Sequence, residues 1–134
     1  CIRISYLNDG VVRDCVFSNL TMHESGMGIR MELPPFKVKP DRGREDSLVE
    51  NLSFSNVEMR DVRHPIHFVI ADTPETRCEA IRDIHFANVR ATGGERLVFR
   101  GRVSNPLTRF TFDGCDFKVA EKPEIVHCEG FVGL

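Results

Sequence analysis

Apolar and polar residues alternate along much of the chain with a period of two. In SGMGIRMEL, for example, the apolar residues Ile29, Met31 and Leu33 alternate with Arg30 and Glu32. Because successive side chains of a strand point to opposite faces, this stretch predicts a strand with one buried and one charged face. No stretch of useful length has the 3.6-residue spacing of a helix, so the pattern predicts an all-β protein.

A segment of similar sequence occurs four times without gaps. The copies are VRDCVFSNLTM (12–22), VENLSFSNVEM (49–59), IRDIHFANVRA (81–91) and LTRFTFDGCDF (107–117). The fourth column of this alignment holds Cys15, Leu52, Ile84 and Phe110, and the sixth holds Phe17, Phe54, Phe86 and Phe112. Such a unit cannot bury its apolar face alone. The repeat therefore predicts a solenoid of about four to five stacked β-coils that contribute strands to parallel sheets.

The columns predict what each position does in the stack. Phenylalanines at one position of successive coils place their rings within reach of aromatic pairing inside the solenoid. The eighth column holds Asn19, Asn56, Asn88 and then Gly114. We interpret these asparagines as a ladder of amides at a bend, where an amide can satisfy backbone groups, rather than as ligands.

A second alternating segment follows each of these copies. Its copies are GIRMEL (28–33), PIHFVI (65–70), RLVFRG (96–101) and EIVHCE (124–129), and CIRISY (1–6) opens the chain in the same way. Aligning Ile29, Ile66, Leu97 and Ile125 inside the stack gives an outward row of Arg3, Arg30, His67, Val98 and Val126. Neighbouring strands lie about 4.8 Å apart, so the first three side chains predict a polar stripe about 10 Å long, roughly two sugars.

Composition narrows the classes of function. The chain has 134 residues, which suits a single domain over 1–134, and a formal net charge of −2, which lacks the basic footprint of a nucleic-acid-binding protein. No run of eighteen apolar residues predicts a membrane span. The chain begins at Cys1 without a signal-peptide pattern, so we expect a fragment of a longer protein whose compartment cannot be assigned from its start.

The five cysteines predict no metal site. They are Cys1, Cys15, Cys78, Cys115 and Cys128, an odd number without a CxxC pair. The histidines have no HxxxH spacing, and no cofactor is expected. Cys15 and Cys115 are expected to fill core positions as small hydrophobes, and a disulfide between Cys115 and Cys128 stays open.

The coil pattern V-x-N-x-x-F-x-N, the asparagine column and Gly28-Ile29-Arg30 after a glycine-containing turn resemble a known family. They are similar to the right-handed parallel β-helix of glycoside hydrolase family 28, the polygalacturonases and their rhamnogalacturonan- and xylogalacturonan-cutting relatives. Pectin and pectate lyases share the general architecture. The resemblance covers nearly the whole chain, as the C-terminal coils of that family. It implies a pectic polysaccharide substrate and a secreted or periplasmic protein.

The resemblance implies an inverting hydrolysis that this chain cannot complete alone. The catalytic aspartates of the family lie in an Asn-Thr-Asp motif and an Asp-Asp pair, followed by Gly-His-Gly and Arg-Ile-Lys motifs. Only the last motif matches here, at Arg30, and Glu32 stands where the family has lysine. Inversion needs two carboxyl groups, so no catalytic residue is assigned and the fragment alone is expected to be inactive.

The candidate substrate-binding residues are Arg30, Glu32, His67 and Arg3. An arginine can bind a carboxylate through two parallel hydrogen bonds, and a histidine can bond to a hydroxyl near neutral pH. Glu32 repels a uronate unless Arg30 neutralises it, so a less acidic or branched pectic substrate fits better. The other histidines, His23, His64, His85 and His127, are expected on the surface or at the rim of the core.

Two other classes of function stay open. The chain fits a non-catalytic β-helix that binds glycans, or a structural stack whose exposed N-terminal coil self-associates through its open sheet edge. The irregular stretch PPFKVKPDRGRED (34–46) predicts a loop beside the stripe. Its Lys37, Lys39, Arg42 and Arg44 are candidate contacts for an acidic glycan, although a solvated loop is the simpler interpretation.

Overall fold

The computed structural model describes residues 1–5, 10–33 and 46–134. In these ranges the chain forms nine strands and no helix: β1 Ile2–Ser5, β2 Val11–Leu33, β3 Ser47–Ile70, β4 Cys78–Thr92, β5 Val98–Arg100, β6 Leu107–Asp113, β7 Asp116–Lys118, β8 Glu124–Val126 and β9 Cys128–Glu129. The all-β prediction is confirmed. No helix able to cross a membrane is found in these ranges. Lys37, Lys39, Arg42 and Arg44 lie outside them.

All pairs of named strands are parallel. The main path of the sheet is β1-β2-β3-β4-β6-β9, while β5 joins β3 to β8 and β7 pairs with β4. Each repeat therefore lies beside the next one in the chain, and its hydrogen bonds run to the same position of its neighbour. This single parallel sheet, in which consecutive repeats stack, is consistent with a β-helix-like fold.

The register confirms the first alignment. Phe54 pairs with both Phe17 and Phe86, and Phe86 also pairs with Phe112. Their rings stack with centroids 4.9, 5.3 and 5.0 Å apart along this series, nearly parallel at each step. The residues of the fourth column also pair from strand to strand. Leu52, which lies between Cys15 and Ile84, is fully buried. The alternation of the sequence thus places a column of stacked phenylalanine rings, Phe17, Phe54, Phe86 and Phe112, inside the stack of strands.

Left-handed residues bend the long strands at intervals of five. They are Asp14, Asn19 and Glu24 in β2, Asn51, Asn56 and Asp61 in β3, and Asp83 and Asn88 in β4, all with φ between 51° and 60°. Asparagine and aspartate tolerate this conformation better than other residues with a Cβ. The strands β2 and β3 are therefore series of short straight segments that turn around the core.

The asparagine column forms the predicted ladder at one of these bends. Asn56 donates from Nδ2 to Oδ1 of Asn19 at 3.2 Å, and Asn88 donates to Oδ1 of Asn56 at 2.9 Å. These two bonds between exposed side chains run from amide to amide along the stack. The ladder therefore links three successive repeats.

The second alignment is correct for four copies and wrong for the last. Arg3 pairs with Arg30, Arg30 with His67, and His67 with Val98, as predicted. Val98, however, pairs with Glu124, and Val126 pairs with Arg100. A shift of two residues keeps every side chain on its own face, so the hydrophobic pattern cannot distinguish the two registers. The observed one brings Glu124 to Arg100, whose Nε donates to the carboxylate at 2.9 Å.

All five cysteines are free thiols, so the open disulfide between Cys115 and Cys128 is absent. Cys78 is buried, and burial raises the pKa of its thiol to about 11. Burial also raises the thiol pKa of Cys115 and Cys128. Cys15 and Cys115 pack against the core but are only partly buried, which modifies the prediction that they fill it.

Candidate functional site

Arg3, Arg30 and His67 lie side by side on the outer face of three adjacent strands. Arg30 points outward because Ile29 and Met31, which flank it in β2, are fully buried. Gly28 allows the close approach of the next repeat here, since a Cβ on it would collide with the carbonyl oxygen of Pro65. The predicted polar stripe is therefore assembled from β1, β2 and β3.

Glu32 pairs with Arg30 on the same strand. The two residues are two positions apart on the same face, and Nη2 of Arg30 donates to the Glu32 carboxylate. Both side chains are more than two-thirds buried, with 25% and 29% of their surface exposed. The negative charge that replaces the lysine of the resembling family thus neutralises the arginine beside it.

His67 is partly buried between charged neighbours. Burial lowers the pKa of its imidazole, the Glu32 carboxylate opposes this, and the cationic Arg30 adds to the lowering. The ring is therefore neutral at pH 7. Nδ1 of His67 and Nε of Arg30 are both buried with no hydrogen-bond partner among the described residues. Buried polar atoms without partners are uncommon, and each one calls for an explanation.

A depression of about 420 Å³ lies beside this stripe, on the next outward row of the same strands. Four paired positions form its floor, one in each of four successive strands: Glu32, Val69, Arg100 and Val126. Residues where the strands end form the rim: Ile70, Ala71, Asp72, Gly101 and His127. Of the predicted site residues, Glu32 alone lines the depression, so the candidate groove lies one outward position beyond the predicted stripe.

A second ion pair involves the floor residue that lies between Val69 and Val126. Arg100 donates to Glu124, which belongs to the next strand and also lies 3.9 Å from Nη1 of Arg96. Each charged residue on the floor is therefore paired with a residue of the stripe row, Glu32 with Arg30 and Arg100 with Glu124. Between the two pairs the floor is apolar at Val69.

Several residues of this site were not predicted from the sequence. Val69 and Arg100 follow His67 and Val98 by two positions, which is the spacing of the next outward side chain on a strand. That signal was present in the alignment. Asp72 and His127 lie outside the paired strands, and only their position in space shows that they face the groove. His127, expected on the surface or core rim, lies at this exposed rim.

Other histidines are engaged elsewhere. Nδ1 of His85 lies 2.7 Å from Oγ1 of Thr111 on the neighbouring strand, and Nδ1 of His64 lies 3.4 Å from the carbonyl oxygen of Arg96. Within the described ranges, no three histidine, cysteine or acidic side chains are grouped so as to hold a metal ion. The polar chemistry of the site is thus that of hydrogen bonds and paired charges.

Comparison with protein-family models, with curated proteins and with solved structures finds no match to this chain.

Proposed function

We propose that this chain supplies part of the substrate groove of a glycoside hydrolase that acts on pectic polysaccharide, with the right-handed parallel β-helix and the inverting chemistry of family 28. The proposal rests on the family-like Gly28-Ile29-Arg30 motif and on the site around it. Its main support is one arrangement: Arg30, Glu32 and His67 lie together on a parallel sheet beside an open depression that crosses four strands.

The groove is suited to holding a sugar chain across the strands. A strand spacing of about 4.8 Å over its four strands makes the groove about 14 Å long, roughly three sugars. Arg30 retains an unpartnered Nε among the described residues, and the neutral His67 ring can bond to hydroxyl groups. The apolar Val69 provides a surface for the carbon face of a pyranose. In this proposal the chain binds and orients the substrate.

The proposal assigns the hydrolytic step to residues outside this chain. An inverting glycosidase needs a carboxylic acid to protonate the leaving oxygen and a carboxylate to activate water, about 6.5–9.5 Å apart. Glu32 is paired with Arg30 and is assigned to substrate contact. The two catalytic carboxyl groups would come from coils that precede these in a longer protein.

Binding tests the groove directly. Replacing Arg30 with alanine removes one hydrogen-bonding partner and leaves the Glu32 charge uncompensated. We expect affinity for a partly esterified pectin oligosaccharide, measured by isothermal titration calorimetry, to fall about tenfold. Arg60→Ala is the matched control. Arg60 also forms an ion pair with a glutamate two residues away on its strand, Glu58, but neither residue lines the depression. An equal loss in both variants, or none in either, would remove Arg30 from the site.

Activity separates the enzyme from the second candidate, a non-catalytic glycan-binding β-helix. Nε of Arg30 and Nδ1 of His67, which have no hydrogen-bond partner among the described residues, also support that candidate, because binding a glycan requires no catalytic acid. Release of reducing ends from a panel of pectic polymers should occur with a longer protein containing these coils and not with this chain alone. If the longer protein binds pectin and releases no reducing ends, the non-catalytic alternative is correct.

A further inference from the structure

The charges around the depression select the kind of sugar that fits it. Two carboxylates, Glu32 and Asp72, line it, and the single arginine on its floor, Arg100, is already paired with Glu124. Arg30, the other nearby cation, is paired with Glu32. A free uronate placed here meets the Asp72 carboxylate and two ion pairs, Arg30–Glu32 and Arg100–Glu124, and finds no uncommitted arginine among the described residues that line the depression.

The surface beside the ion pairs is apolar, with Val69 between Glu32 and Arg100 and Val126 on the other side of Arg100. Val69, Ala71 and Val126 line the depression, and Val126 is 37% exposed. An apolar floor between polar edges matches a ring with one carbon–hydrogen face and hydroxyl groups around its circumference. The hydroxyls then reach the Glu32 carboxylate at one end and Arg100 at the other.

We infer that the depression is a subsite for an uncharged pyranose, a neutral sugar or a methyl-esterified uronate, and discriminates against a free uronate. This inference rests on the proposed function and deepens it by naming the substrate class. Asp72 repels the carboxylate and the two ion pairs leave no uncommitted arginine on the lining to bind it, while Val69 and Val126 accept the uncharged ring or its ester methyl group.

Three oligosaccharides of equal length test the inference at pH 7: a galacturonide, its fully methyl-esterified form and a neutral galactan. We expect the esterified ligand to bind the chain about fivefold more tightly than the free acid, the scale of one exposed charge interaction. If the galactan binds as tightly as the ester, an uncharged ring is sufficient. If only the ester binds tightly, the methyl group is also recognised. Both results support the subsite.

Two variants locate the selection. Glu32→Gln removes one carboxylate, so the free galacturonide should gain affinity while the ester changes less. Val126→Glu adds a carboxylate to the floor and should weaken the ester about fivefold. Val16→Glu is the matched control, because Val16 is also an exposed strand valine, 73% exposed, and does not line this depression. It should leave ester binding unchanged.

The outcomes separate this inference from the proposed function. If the free galacturonide binds at least as tightly as the ester and Arg30→Ala weakens it, the pectic groove stands and the uncharged subsite is wrong. If none of the three ligands binds, both are wrong. Equal effects of Val126→Glu and Val16→Glu would place any selectivity outside the depression and overturn the inference.

Discussion

The asparagine ladder and the Arg30 row cross the same repeats and treat their polar atoms in opposite ways. In the ladder, Asn19, Asn56 and Asn88 repeat one residue type, and each amide bonds to the next. In the row, arginine is followed by His67 and then by Val98, and two buried nitrogens have no described partner. Identical residues in successive repeats can therefore bond to one another along the stack, whereas residues that change from repeat to repeat leave polar atoms without a partner among the described residues.

The largest effect on stability is expected among the residues that repeat from coil to coil, in the column of stacked phenylalanines. Phe86 is buried and stacks between Phe54 and Phe112. Phe86→Ala should lower the free energy of unfolding by about 3–5 kcal/mol, because it removes a ring and leaves a cavity. Chemical denaturation measures the loss. Phe86→Leu, which refills most of the space, should cost less, and an equal cost for the two would contradict the cavity explanation.

A smaller effect is expected at the ladder itself. Asn56 has a φ of 53° and bonds to asparagines on both sides. Asn56→Ala should cost about 1–2 kcal/mol, because alanine strains the left-handed bend and the amide bonds are lost. Asn56→Gly relieves the strain and should recover part of the loss in thermal unfolding. Wild-type stability in Asn56→Ala would show that the ladder contributes nothing to the stack.

The smallest effect belongs to the variable row and appears only as pH dependence. Because the pKa of His67 is lowered by burial, the unfolded chain binds a proton more readily than the folded one. Its neutral form is accommodated above about pH 6.5, and stability should fall as the pH drops below that value. His67→Gln removes this contribution.

Thermal unfolding of the two proteins between pH 8 and pH 5 tests this sign. The stability of the wild type should decrease more steeply toward acid than that of His67→Gln. His23→Gln serves as the control, since His23 is exposed and His67 remains in that variant. Parallel pH profiles for wild type and His67→Gln would show that His67 does not carry the effect.

The sequence predicted the parts of the fold that depend on repetition. The aromatic column and the asparagine column each align residues of one type, and the structure pairs them as predicted. The coil pattern V-x-N-x-x-F-x-N includes the third column, Asp14, Asn51, Asp83 and Arg109, but the left-handed bend of these residues was not predicted. Each residue of this column lies five positions before the residue of the asparagine column in the same repeat. The last copy has Arg109 at this position, which obscured the preference for asparagine and aspartate.

The rest of the site depends on information that alternation does not contain. Either Glu124 or Val126 can lie opposite Val98, because the two registers differ by two residues and leave every side chain on the same face of the sheet. The alternation therefore could not predict that Glu124 occupies this position. The depression depends on where strands end and how the rim residues fold back, as Asp72 and His127 do. Sequence periodicity assigns a side chain to a face, but it does not give the shape of the surface beyond the strands.

The bends at five-residue intervals also constrain how the chain can change in length. Equivalent bend residues are 37 residues apart between the first two repeats, then 32 and 26. Within each repeat the bend spacing stays the same, so nearly all of the difference falls in the connections after Leu33, Ile70 and Arg100. One residue of it lies before Val98, because Asp61 and His67 are six positions apart whereas Gly93 and Val98 are five apart. These connections follow the row that forms the floor of the depression. A change in the length of these connections therefore leaves the spacing of the bends and the register of the stacked core residues unchanged, so the repeat can vary in length without altering which residues stack.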